Sequence, residues 1–241
     1  MRIAGTRPLG LYRTDPDVEP QPIEAVLLDF SNTLFHIVDD AVWLRMAAAA
    51  EDVTYDDATL ARLVAALDAA WTRPEVARAQ EGRDLSAANH RAAGLAWIKA
   101  VDELVPLADT MYDLMASPRC WIPYDDTRPV LAALRERGMP VGVVSDIAWD
   151  IRPTFEHYGL RDYVDAFALS YELGASKPDP KVFRHACAAL GVHPHRTLMV
   201  GDTPASDGGA AWLGMRAFVL PAEGAAARRR GLDIVPRLLG P

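Results

Sequence analysis

Cysteine is scarce in this 241-residue chain: only Cys120 and Cys187 are present, far apart. Two unclustered cysteines read as reduced thiols and argue against a disulfide framework or a catalytic thiolate. Long apolar runs are missing too, so no segment is expected to span a bilayer. The first residues, Met1 to Gln21, lack the apolar stretch of a signal peptide and mix proline with both charges, which suggests a loose arm over residues 1–22. A cytoplasmic location without a membrane partner is the expectation. Positive charge is in deficit: 25 Lys and Arg stand against 33 Asp and Glu, for a net charge of −8 and a pI near 5.2. That balance argues against a nucleic-acid partner or an anionic lipid surface. It leaves room for an anionic small molecule, because N–H groups, a lysine and a metal can reverse the potential in one pocket.

What the chain does have is apolar content, 50% of its residues, enough for a sizeable core. From Glu24 onward, short apolar runs alternate with helical patterns. Strands are expected at Ala25–Asp29, Val141–Ser145, Ala166–Ser170, Thr197–Gly201 and Arg216–Leu220, each rich in Val, Leu or Phe as a strand buried on both faces should be. Helices are expected at Arg128–Arg137, Trp149–His157, Pro180–Leu190 and Asp207–Leu213, each running up to a glycine. This alternation predicts an α/β fold, a Rossmann-like parallel sheet flanked by helices. From Asp39 to about Ser117 the pattern changes. Apolar residues recur at helical spacing in Ala41–Ala50, Ala58–Trp71, Ser86–Leu104 and Leu107–Met115, which predicts a small all-helical insertion. The expected division is a core of residues 23–36 and 118–241 and a helical insertion of residues 37–117. The Arg228–Arg230 run reads as a solvated face.

In open parallel sheets, ligands bind beyond the carboxyl ends of the strands. Asp29-Phe30-Ser31-Asn32-Thr33-Leu34 follows the first strand, Ser145-Asp146 ends the second, and Gly201-Asp202 through Asp207 ends the fourth. Lys177 follows the third, in Ser176-Lys177-Pro178-Asp179-Pro180. Carboxylates, a hydroxyl and an ammonium converging on one point suit phosphoryl transfer. A hard divalent cation such as magnesium takes carboxylate and substrate oxygens, and cation and lysine together let a carboxylate anion approach phosphorus.

These four segments, in this order, resemble those of the haloacid dehalogenase superfamily of hydrolases, over roughly Glu24 to Pro221. The resemblance implies a cap inserted after the first strand and a small phosphorylated substrate. It implies Asp29 as nucleophile, Thr33, Ser145 and Lys177 as phosphate ligands, and Mg2+ bound by Asp29, Asp202, Asp207 and the main-chain carbonyl of Ser31. Ser31 departs from the family's phosphatases, which carry a second Asp there as acid and base. A serine hydroxyl has no useful pKa for that work, so slow turnover is expected. Asn32 stands where the family has Gly and suits a left-handed turn.

Simpler roles compete. Asp207 precedes a helix start and can serve as its N-cap, and Ser145 and Asp146 can cap the helix near Trp149. Asp146 is also a candidate substitute base beside the substrate. His36, Asp39 and Asp40 belong to the hinge. In the insertion, Trp43 and Trp97 read as core, and Arg45, Arg83 and His90 can reach a substrate. Lys99 is the one insertion lysine, late in its helix, which disfavours Schiff-base phosphonate cleavage. A carbon–halogen hydrolase and a non-catalytic phosphate-binding module are the alternatives. The retained Asp202 and Asp207 favour metal-dependent chemistry over the first. The reading leaves monomer and homodimer both open.

Overall fold

A computed structural model describes residues 21–221 and 228–240; the expected N-terminal arm lies almost wholly outside them. In chain order the elements begin with β1 (Ala25–Leu28) and β2 (Phe35–Ile37). Five helices follow: α1 (Asp40–Ala50), α2 (Asp57–Ala70), α3 (Pro74–Ala79), α4 (Ala87–Lys99) and α5 (Ala108–Met115). The chain then alternates through β3 (Trp121–Pro123), α6 (Thr127–Glu136), β4 (Val141–Ser145), α7 (Arg152–His157), β5 (Ala166–Leu169) and α8 (Ser170–Leu173). It closes with α9 (Pro180–Leu190), β6 (Thr197–Gly201), β7 (Arg216–Val219) and α10 (Val235–Leu238).

Five strands form one parallel sheet in the order β5-β4-β1-β6-β7. Alternate side chains leave opposite faces, and each face packs into its own core. Val26, Leu28, Val143 and Val200 join one cluster; Leu27, Val144 and Met199 join the other. This is why the central strands read as unbroken apolar runs. The edge strand β7 departs from that expectation, with Ala217 exposed and its other residues half-buried. None of the described helices is long and apolar enough to cross a membrane.

The helical insertion begins and ends in a second, two-stranded antiparallel ribbon of β2 and β3, pairing Phe35 with Pro123 and Ile37 with Trp121. Neither strand was expected; three residues are too few to show a period, and their pairing comes from the fold. The short helix α3 was also unexpected. The expected Ser86–Leu104 helix stops at Lys99, and Asp102–Leu107 continues as a 3-10 helix containing Pro106.

Two core helices differ from expectation in ways that matter for the site. Helix α7 begins at Arg152, not Trp149: Pro153 occupies its first turn and Asp150 accepts the N–H of Arg152 at 3.0 Å. Ser145 and Asp146 are therefore not its caps. Residues Asp207–Leu213 form a 3-10 helix rather than an α-helix, consistent with the poor helix propensity of Gly208 and Gly209. Both cysteines are buried and unpaired.

Candidate active site

β1 lies between β4 and β6, with Leu28 opposite both Val143 and Val200. Its carboxyl end therefore delivers Asp29 into the middle of the sheet edge, where the N–H of Asp29 donates to the carbonyl of Val200 at 2.9 Å. The chain then turns sharply. Asn32 adopts φ 56°, the left-handed region that Asn tolerates, and its N–H donates to the carbonyl of Phe35 at 2.6 Å. The turn brings the Thr33 hydroxyl back to donate to Asp29 Oδ2 at 3.3 Å.

The loop after β6 supplies the second wall. The Asp207 carboxylate accepts the backbone N–H groups of Asp202 at 3.0 Å and Thr203 at 2.8 Å. It folds back on the preceding loop, so the simple N-cap role is not what the structure shows. Only glycine fits at 201 here, since a Cβ would lie 2.2 Å from the Asp207 carboxyl carbon. Asp202 is half-buried and accepts from the Thr203 hydroxyl at 3.1 Å.

Lys177 closes the cluster. Its Nζ donates to Asp29 Oδ1 and Asp207 Oδ1, each at 2.6 Å, with all three side chains buried. The segment is held from two sides. Asp146 Oδ1 accepts the Lys177 backbone N–H at 2.8 Å. Gly209 lets Pro178 pack against the 3-10 helix, since a Cβ there would lie 2.3 Å from the proline ring. Carboxylate oxygens of Asp29, Asp202 and Asp207 lie within 4.8 Å of one another, close enough to share a cation.

Three carboxylates against one ammonium leave a double negative charge, which a divalent cation would balance. Without one, Asp29 is pushed up to about 7, first by burial, then by Asp207 and Asp202, against the pull of Lys177. Burial works against the Lys177 ammonium, but Asp29, Asp207 and Asp146 outweigh it and hold its pKa above the usual lysine range. Burial also raises the Asp146 carboxyl.

The structure thus joins Asp29, Thr33, Lys177, Asp202 and Asp207 by direct contacts and ties Asp146 to Lys177 through the backbone. Ser145 closes β4 as a buried residue. Ser31 and Asp146 open onto a cleft of about 290 Å³ between sheet and insertion. Arg83, His90, Trp43 and Trp97 reach this cleft as well. Arg45 does not: it is exposed and paired with Asp57 at 2.6 Å. Trp71, Trp121 and Trp149 also line the cleft, and nothing in their local sequence singled them out.

One further tie escaped sequence reasoning. The Arg228–Arg230 run is not uniformly solvated: Arg230 is buried, and its guanidinium donates to the carbonyls of Asn32 and Pro221. Arg228 remains exposed, beside Asp125.

A haloacid dehalogenase-like hydrolase profile matches residues 23–212. A mouse protein named haloacid dehalogenase-like hydrolase domain-containing protein 3 is 31% identical over 127 residues, 52% of this chain and 51% of that protein. A Mycobacterium tuberculosis protein named as a phosphatase is 36% identical over 128 residues, 52% and 55% of the two chains. The chain thus spans about half the length of the curated relatives it matches. The solved structure of a HAD phosphatase from Thermococcus onnurineus superposes with a TM-score of 0.58 at 23% identity, covering 90% of this chain and 98% of that one. At that identity the likeness speaks for the fold.

Proposed function

Because the chain belongs to the haloacid dehalogenase-like hydrolases, we propose that it is a magnesium-dependent phosphatase of a small phosphorylated compound, with Asp29 as nucleophile and the helical insertion of residues 37–117 as its cap. The observation that carries this reading is Lys177 bridging Asp29 and Asp207 within an acidic trio. The donor set is all oxygen, as magnesium requires; Asp29, Asp202, Asp207 and the Ser31 carbonyl would hold the ion. When bound, the ion supplies positive charge that draws in the phosphoryl group and keeps Asp29 ionised.

The remaining work falls to the chain's own groups. Lys177 and Thr33 already touch Asp29, and the Ser145 hydroxyl lies at the neighbouring strand end; these three orient the phosphoryl oxygens. One Asp29 oxygen attacks phosphorus, the ester oxygen leaves with the alcohol, and water then releases phosphate from the aspartyl-phosphate. A serine at position 31 cannot protonate the leaving oxygen or activate water. General acid–base help contributes about 10²–10⁴-fold, so turnover should be slow. The phosphatase name of the bacterial relative supports this chemistry, and the acidic trio weighs against metal-free carbon–halogen cleavage.

The test is phosphate release from 4-nitrophenyl phosphate with and without magnesium. Asp29→Asn should lower kcat by at least about 10³-fold with an unchanged circular dichroism spectrum, and Ser31→Asp should raise it. Full activity of Asp29→Asn would overturn the assignment. Halide release from 2-chloropropionate without metal would favour the dehalogenase.

A further inference from the structure

Ser31 and Asp146 both line the core side of the cleft between sheet and insertion. The sheet explains their placing. β1 and β4 run parallel with Leu28 beside Val143, Ser31 lies in the turn after β1, and Asp146 is the first residue past the end of β4. Strand ends of a parallel sheet face one ligand crevice. Asp146 is half-buried and open to that cleft.

Two hydrogen bonds fix Asp146. Its Oδ1 accepts the Lys177 backbone N–H at 2.8 Å. The N–H of the next residue, Ile147, donates to the Ser170 hydroxyl oxygen at 2.9 Å. The first bond uses one carboxyl oxygen; a carboxyl has a second, which can exchange a proton with a bound molecule. Lys177 also sets the spacing, because its backbone N–H meets Asp146 while its Nζ meets Asp29. The two carboxyls thus stand within one lysine residue's reach of each other, close enough to act on opposite ends of one P–O bond.

The other ionisable groups facing the cleft are worse placed. Asp40, Arg83, Asp84 and His90 all belong to the insertion. Asp84 lies 3.4 Å from Arg83 and 3.8 Å from His90 Nε2. His90 is buried, meets the Tyr112 hydroxyl at 3.0 Å through Nδ1, and is pushed down to about 4, first by burial and then by Arg83. Near neutrality it has no proton to give. Among the described acids of the cleft, Asp146 alone comes from the core and is tied to the lysine that touches Asp29. Burial raises its carboxyl against the pull of Lys177, and Asp84 and Asp207 add to the rise. A raised carboxyl gives and takes protons near neutrality better than an ordinary one.

We propose that Asp146 is the general acid and base of the hydrolysis, in the role that Ser31 cannot fill. This assignment rests on the phosphatase reading above. As Asp29 attacks phosphorus and the ester P–O bond breaks, the leaving oxygen takes the Asp146 proton and departs as the alcohol. The Asp146 carboxylate then accepts a proton from the water that attacks the aspartyl-phosphate. The P–O bond to Asp29 breaks, inorganic phosphate leaves, and both carboxyls return to their starting states. The slow turnover that Ser31 alone implies is then the behaviour of Asp146→Asn.

The test measures aspartyl-phosphate formation by rapid mixing and acid quench in the full-length, magnesium-loaded protein, with 4-nitrophenyl phosphate and benzyl phosphate as substrates. 4-Nitrophenolate leaves without a proton; a benzyl alkoxide needs one. Asp146→Asn keeps an oxygen for the Lys177 N–H but cannot give or take a proton. It should slow phosphorylation by benzyl phosphate about 10²-fold or more, and by 4-nitrophenyl phosphate less than about tenfold. With 4-nitrophenyl phosphate it should release one equivalent of nitrophenol in a burst and accumulate aspartyl-phosphate, because the water step has lost its base. Ser31→Asp should raise benzyl phosphate turnover by a larger factor in the Asp146→Asn background than in wild type. In wild type, with no variant to fold, the two substrates should phosphorylate Asp29 at rates within about 10²-fold of each other; a wider gap overturns the assignment. Equal losses with both substrates in Asp146→Asn would reduce Asp146 to a support for Lys177, and no loss with either would place it outside the reaction. Both results overturn the assignment and leave the phosphatase reading standing. No aspartyl-phosphate from either substrate in wild type would overturn the two together.

Discussion

Burial raises Asp29 by more than its one ammonium partner, Lys177, lowers it. Its carboxyl, ordinarily near 3.8, is pushed up to about 7, chiefly by burial, with Lys177 pulling the other way and Asp207 adding to the rise. Between those values the folded protein keeps a proton that the unfolded chain has lost. The resulting stabilisation is complete below pH 3.8 and disappears as pH rises through about 7. Metal-free protein should therefore lose melting temperature between about pH 4 and pH 8, and Asp29→Asn should flatten part of that fall. Magnesium competes with the proton for the same oxygens. It should raise the melting temperature by several degrees near pH 8 and by less near pH 5. Calorimetric scans with and without the ion at both pH values check this; an equal shift at both would count against shared oxygens.

At the scale of elements, the site depends on what happens where strands stop. β1, β4 and β6 end abreast, and each passes directly into a turn bearing a polar side chain. The loop after β6 shows how tightly this is built. Asp207 fills the place where a side chain at 201 would sit, and the N–H groups of Asp202 and Thr203 hold it there. Gly201→Ala should drive the Asp207 carboxylate out. Overpacking of this kind typically costs about 1–3 kcal/mol, and the magnesium-dependent rise in melting temperature should vanish with it. Thermal denaturation of the variant, with and without the ion, reads both effects. An undiminished magnesium shift would mean that the loop relaxes without losing its ligand.

Across the whole molecule, distant segments hold the nucleophile turn in place. Arg230 donates to the carbonyl of Asn32, 198 positions earlier. Its own backbone is fixed by the buried Asp126 carboxylate, which accepts N–H groups from Arg230, Gly231 and Leu232 at 2.8–3.1 Å. Arg230→Met keeps the side-chain length but removes the hydrogen bonds to the carbonyls of Asn32 and Pro221. Hydrogen bonds from a charged donor contribute about 1.5–3 kcal/mol, so losing them should lower the melting temperature by several degrees and kcat should drop as the turn loosens. Arg228→Met, at an exposed arginine, should stay within about 0.5 kcal/mol of wild type. Urea denaturation of the two variants side by side makes the comparison; matching losses would place the guanidinium of Arg230 outside the turn's support.

Sequence alone determined the sheet strands to within a residue at each end, because short apolar runs between helical patterns follow from burying the central strands of a parallel sheet on both faces. It also determined the gathering of Asp29, Thr33, Lys177, Asp202 and Asp207, because strand ends in such a sheet share one edge. The helical character of the insertion was legible from its apolar spacing, as was the left-handed turn at Asn32. Tertiary structure decided the rest. The β2–β3 ribbon exists through pairing between segments far apart in sequence, and three residues carry no period of their own. The start of α7, and with it the release of Ser145 and Asp146 from capping, was settled by Pro153 and Asp150 in three dimensions. Arg230 reads as one charge in a solvated run until the fold lays it over the carbonyl of Asn32. The tryptophans reveal a shared cleft only after packing, since stacking and hydrogen bonding depend on distance in space and not on separation along the chain.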